Sequence, residues 1–277
     1  MTASAVKRSK LRILSALMVL VVLMVLVGGV ALAGAYIYLE PALPSVEAMR
    51  AVELQVPLRV YTRDGQLIAR IGEQRRIPVS YEQIPDVVKH AFLAAEDDRF
   101  FQHHGIDFQG LARAVVVDVI SHGRMQGAST ITQQTARNMF LTLDKTWRRK
   151  VQEAFLSYRM EHYFTKEEIF GLYLNVIFFG QRTYGVAAAA DTFFGKSLDQ
   201  LSVAEAATLA GLPLAPSRYN PIANPQAAQA RRAYVLRRMR EQGFIDSATA
   251  EAASAVPVVA RVHAPTMAVG LDAQYVA

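Results

Sequence analysis

Cysteine is absent from all 277 residues. That absence excludes disulfides, thiolate catalysis and Cys-ligated zinc. It suits an exported chain without proving export. Charge is missing from one long stretch, Ile13 to Leu39. A nucleic-acid footprint is lacking too, although the formal charge is +6, because Lys7, Arg8, Lys10 and Arg12 carry four of the cations ahead of any acid. Taking those four from the 30 basic residues leaves 26 against 24 acidic ones, which is close to neutral. A nucleic-acid binder needs a dense cationic face, and this average offers none.

What fills the uncharged stretch is Leu, Val, Met, Ile and Ala. About 20 apolar residues, rising ~1.5 Å each in a helix, cross the hydrocarbon of a bilayer. The run from Ile13 to Leu39 is longer than that. A cleaved signal peptide is the alternative, since Ala31-Leu32-Ala33 resembles a cleavage site. Signal cores are shorter, about 7–15 residues, so the segment reads as an uncleaved anchor. The four cations hold the N-terminus in the cytoplasm, and Tyr36 and Tyr38 suit the far interface. Residues 1–12 are then a cytoplasmic tail and 13–39 the transmembrane anchor, and the remainder faces outward.

Pro41, Pro44 and Pro57 punctuate a linker over 40–74. Within it, Leu58–Ile71 reads as a β-hairpin with Asp64-Gly65 at the turn. After Pro78 the periodicity becomes helical. Pro85 marks a helix start, and Val87, Val88, Ala91, Phe92 and Ala95 recur on one face. Further helices are expected near 109–121, 130–141, 147–163, 166–175, 184–194, 202–211 and 226–242. The fold class is therefore mainly α, with one domain over 75–250. Residues 251–277 read as the start of a connection to a further C-terminal region.

Chemistry-bearing residues gather at the end of the first of those helices. Glu96, Asp97 and Asp98 run into Phe100 and Phe101, and both rings are expected to be buried nearby. A carboxylate beside aromatic rings loses hydration, which raises its pKa and suits it to acid–base work. A plain helix end with acids paired to Arg99 is the alternative. His103 and His104 lack the i, i+4 spacing of a helical zinc site, so a structural role fits His103 better. Thr130 and Gln133 have capping-box spacing, and a helix N-terminus lined by hydroxyls and amides can also cradle a pyrophosphate. Arg137 adds a cation one turn on. Arg149 and Glu153, like Ser157 and Glu161, are four apart on one helix face. Apolar neighbours leave that stripe little exposed surface, so its charges need partners. Arg231, Arg232, Arg237, Arg238 and Arg240 read mainly as a solvated face near anionic headgroups. The run Leu111–Ile120 is too short to span a bilayer; core packing and an amphipathic membrane-dipping flap are both open.

The string Glu96, Asp97, Phe100, His103, Gly105 resembles the first motif of the peptidoglycan glycosyltransferases, glycosyltransferase family 51. Four further motifs follow in the family's order. They are Gly127 through Gln134; Arg149, Lys150, Glu153 and Glu161; Tyr173-Leu174-Asn175 through Tyr184-Gly185-Val186; and Leu201-Ser202 through Asn220-Pro221. The family's usual Ala in the third motif is Ser157 here. The resemblance covers about residues 60 to 245. It implies a lysozyme-like helical fold with head and jaw lobes, and it favours the flap.

The resemblance further implies polymerisation of lipid II into β-1,4-linked glycan by an inverting displacement, releasing undecaprenyl pyrophosphate. Glu96 carries over as the general base. Glu153 carries over as the second catalytic carboxylate, assisting pyrophosphate departure. Substrate contacts carry over to Asp97, Phe100, His103, Gly127, Ser129, Thr130, Gln133, Gln134, Arg137, Arg149, Lys150 and Asn175. Mg2+ or Mn2+ near Glu153 is compatible with the chemistry, though the sequence shows no closed metal site. The implied partners are lipid II, the growing lipid-linked chain, membrane lipids and cell-wall synthesis proteins, with no nucleic acid, at the outer face of the inner membrane. The hairpin suits a bifunctional class A penicillin-binding protein. The penicillin-reactive set itself is not in this chain: Ser-x-x-Lys occurs only at Ser4–Lys7, ahead of the anchor. A lytic enzyme of the same fold, or a non-catalytic assembly factor, are the alternatives.

Overall fold

The computed structural model describes residues 3–52, 54, 57–65, 67–71, 74–113, 129–142 and 146–263. Two compact units divide between Ser45 and Val46. The first is a single helix, α1 (Ala3–Leu39), followed by a 3-10 turn at Glu40–Ala42. Its stretch Ser15–Ala42 has hydropathy 2.9 over the most apolar window, none of it buried. That is long and apolar enough to cross a membrane.

The second unit opens with α2 (Val46–Arg50), a short helix inside the predicted linker. Strands β1 (Leu58–Tyr61) and β2 (Leu67–Ile71) form the expected antiparallel hairpin, with Leu58 opposite Ile71. Gly65 supplies the turn's positive φ of 84°, which its missing Cβ permits. A second small sheet has the order β3-β5-β4. There β3 (Arg75–Arg76) runs parallel to β5 (Thr183–Tyr184), and β4 (Phe178–Gly180) runs antiparallel to it.

Helices make up most of the remainder. α3 (Asp86–Glu96) starts after Pro85, whose fixed φ of −62° suits the N-cap. It buries Val88, Ala91, Phe92, Leu93 and Ala94, whereas Val87 and Ala95 stay half-exposed. The buried face is thus rotated slightly from the one the spacing suggested. A helical stretch at 108–113, α4, comes next. Then follow α5 (Ile131–Phe140), α6 (Trp147–Tyr163), α7 (Lys166–Val176), α8 (Val186–Phe194), α9 (Val203–Gly211) and α10 (Pro225–Glu241). These match the sequence boundaries to within about two residues, because capping side chains at Thr130, Thr146, Thr165, Ser202 and Asn224 fix their starts. α11 (Ser247–Ala255) has no counterpart among the expected helices, because its alanine-rich run carries almost no periodic signal. Most of the expected flap, from 114 onward, and Gly127 lie outside the described residues.

α3 packs against α9 and α10, and α5 packs against α6 and α7. An aromatic cluster ties these groups together. Phe92 meets Tyr173 and Phe179 edge-on at 6.3 and 5.9 Å, and Phe170 lies 5.6 Å from Phe100 and 6.2 Å from Tyr173. All five rings are fully buried. Burial of each contributes about 1.5–3 kcal/mol by area, so the C-terminal end of α3 is held rigidly.

Candidate active site

Glu96 is the last residue of α3. Its Oε2 accepts a 2.9 Å hydrogen bond from Nε2 of Gln134 on α5. Its Oε1 is buried and has no hydrogen-bond partner among the described residues. Burial pushes the carboxyl above its ordinary pKa, against the opposing pull of the Gln134 hydrogen bond and of Arg231 and Arg137. A cavity of about 350 Å³ opens against Glu96, walled by Leu214, Arg218, Tyr219, Arg231 and Tyr234.

Asp97 is buried and engaged in structure. Nε2 of His103 lies 3.1 and 3.0 Å from its two oxygens, and Oδ2 also accepts the Ile131 N–H at 3.0 Å. The carboxylate therefore satisfies an orphan donor at the N-terminus of α5, where negative charge is favoured. Thr130 completes the junction: its Oγ1 accepts from the Gln133 N–H at 3.2 Å and donates to the Gly105 carbonyl at 2.6 Å. Gly105 has φ +78°, and a Cβ there would sit 3.1 Å from the Ser157 backbone, so the motif needs glycine for both reasons. Phe100 is fully buried as expected, but Phe101 is 47% exposed. Adjacent residues on a turn point apart, and only one ring reaches the core. Replacing Thr130 by Ala should lower unfolding stability by about 1–2 kcal/mol, with Ser nearly neutral. Denaturant melts of the two variants check this, and an unchanged Ala midpoint would contradict it.

The first turn of α6 holds Arg148, Arg149 and Lys150 and no acid. Cations are disfavoured at the positive end of a helix dipole, so the cluster calls for an anion. Glu153 is one such anion. It is fully buried, with Lys150 Nζ 2.8 Å from Oε2 and Arg149 Nε 3.1 Å from Oε1. Lys150, with half its side chain exposed, also donates to Ser129 Oγ at 2.9 Å. Further along, Glu161 Oε1 accepts from Thr132 Oγ1 at 2.6 Å and from Lys166 Nζ at 2.7 Å. Ser157 turns back to the Glu153 carbonyl at 2.6 Å. The segment 129–134 thus reaches both carboxylates: Gln134 holds Glu96, and Ser129 holds the lysine paired with Glu153.

A divalent ion at Glu153 does not fit these residues. Both carboxylate oxygens already face cations, and among the described residues no three His, Asp or Glu side chains gather as ligands. Asn175 stands apart from the Glu96 cavity: its side chain accepts from the Val79 N–H and donates to the Val79 and Gly171 carbonyls. Phe100, Asp97, His103, Thr130 and Gln133 likewise frame the site from buried positions. The arginine stretch of α10 departs from the solvated-face expectation. Arg231 lines the Glu96 cavity, buried Arg232 donates to the Ser254 and Val256 carbonyls, and Arg238 pairs with Asp98 at 2.6 Å. Arg237 and Arg240 alone of the five are exposed.

The family described as Transglycosylase matches residues 64–240. The chain belongs to the transglycosylase family. This transglycosylase-family enzyme is 48% identical over 242 residues to penicillin-binding protein 1A of Escherichia coli, covering 87% of this chain and 28% of that one. It is 47% identical over 249 residues to the Pseudomonas aeruginosa protein of the same name, covering 90% and 30%. The crystal structure of penicillin-binding protein 1A from Haemophilus influenzae aligns with TM-score 0.43 and 34% identity, covering 77% of this chain and 22% of that one. The transglycosylase chain therefore spans less than a third of the length of these relatives.

Proposed function

We propose that this chain is a peptidoglycan glycosyltransferase that polymerises lipid II into β-1,4-linked glycan. The observation that carries the reading is the pairing of two unlike groups through segment 129–134. One is a buried carboxylate at a cavity wall, Glu96, and the other is the cationic first turn of α6. Oε1 of Glu96 takes the proton of the acceptor 4-hydroxyl as that oxygen attacks the donor's anomeric carbon. The bond from that carbon to pyrophosphate breaks on the opposite face, and its electron pair leaves with the phosphate, so the anomeric centre inverts. Lys150 and Arg149, with Arg137 one turn beyond Gln134, meet the growing leaving-group charge. Glu153 fixes Lys150 and Arg149 where that charge appears.

On this reading the chemistry runs at the outer face of the inner membrane, where the lipid-linked substrate is confined, and the N-terminal helix is its anchor. Two substrates separate the reading from a lytic one. Purified chain should consume lipid II with release of undecaprenyl pyrophosphate and leave preformed glycan strands intact. Cleavage of the strands, without lipid II turnover, would overturn the proposal. Deleting residues 1–39 should weaken turnover of bilayer-embedded lipid II far more than of a short-chain soluble analogue, because tethering raises the local enzyme concentration. Equal losses on the two substrates would instead make the anchor a support for the fold.

A further inference from the structure

Tyr173, on α7, is fully buried, and its hydroxyl has no hydrogen-bond partner among the described residues. A phenylalanine would fill the same space between Phe92 and Phe170 without leaving a polar atom unpaired. The position of the ring suggests what the hydroxyl is for. Phe92 and Glu96 are four apart on α3 and share one face, so a ring packed on Phe92 lies one turn from Glu96. Burial, reinforced by the charges of Glu96 and Asp97 and opposed by that of Arg137, holds the proton on the phenol well beyond the usual range. The hydroxyl is thus a permanent donor lacking an acceptor. Glu96 Oε1 is a buried acceptor lacking a donor.

We propose that Tyr173 is a positioning residue for Glu96, donating its hydroxyl hydrogen to the carboxylate, directly or through one water, once substrate closes the site. Gln134 then fixes one oxygen and Tyr173 the other, and each oxygen keeps a second lone pair for the incoming proton. The proposal rests on the reading of Glu96 as the base. Other groups facing that carboxylate are Gln134 and Arg137 from α5, Arg231 from α10 and neighbouring Asp97. α9 also packs on α3, but its single titratable residue, Glu205, is bound to Lys196.

The sign of the effect follows. A donor to the carboxylate favours its charged form, so losing the donor makes Glu96 harder to deprotonate. The test is lipid II turnover by the full chain against pH, for the wild type and for Tyr173→Phe, with Glu96→Gln in parallel. The Phe variant should lose about tenfold in kcat, and the acidic limb of its profile should move up by about half to one pH unit. KM and melting temperature should stay the same. An unshifted limb, or a rate loss that tracks a lower melting temperature, would make the hydroxyl merely structural and overturn the proposal. If Glu96→Gln kept its activity, the base assignment itself would fail, which is a separable outcome.

Discussion

Glu96→Gln is expected to cut glycan polymerisation by about 10²–10⁴-fold while the fold and lipid II binding survive. The amide keeps the shape of the side chain at the end of α3, and Gln134 can still hydrogen-bond its carbonyl oxygen. What disappears is the capacity to accept a proton at Oε1, the buried atom without a partner. Because burial raises the wild-type carboxyl above the ordinary Glu value, wild-type activity should fall on the acid side at a higher pH than an exposed carboxylate would give. Turnover and a binding isotherm on the same preparation check the effect. Retention of more than about a tenth of wild-type turnover would remove Glu96 from the role of base.

Glu153→Ala should show the largest combined loss of stability and rate. The carboxylate is fully buried between Lys150 and Arg149, so its removal leaves two cations without their shared counter-charge at the unfavourable end of α6. Breaking a buried pair costs about 3–5 kcal/mol, and the half-exposed Lys150 places this case at about 3. In a unit of this size that corresponds to roughly 6–12 °C in melting temperature. Turnover should fall as well at temperatures where the variant is folded, because Lys150 loses one of its two fixed partners. An unchanged melting temperature would mean that Glu153 is not the counter-charge its geometry makes it.

How much of this was legible in the sequence depended on how local the signal is. The Thr130–Gln133 capping box and the Arg149, Lys150, Glu153 spacing lie within one turn, and both read correctly because helical geometry alone brings those side chains together. The arginines of α10 were legible in principle: Arg231 and Arg238, seven apart, share one face by helical spacing with Arg232 beside it, whereas Arg237 and Arg240 point away. Composition drew attention to five cations as a block, although three of them turn inward. Tyr173 and Asn175 were not separable, since both lie in one motif and only tertiary packing sends one toward Glu96 and the other to Val79. Nothing local distinguishes Phe100 from Phe101 either; the turn after Asp97 decides which ring enters the core.

The most direct test is gel analysis of the product made from labelled lipid II by the purified chain. The account predicts a ladder of glycan that a β-1,4-specific muramidase reduces to disaccharides, and no ladder with Glu96→Gln. Lipid II left unconsumed by the wild-type chain, or a ladder undiminished in the Gln variant, would contradict it.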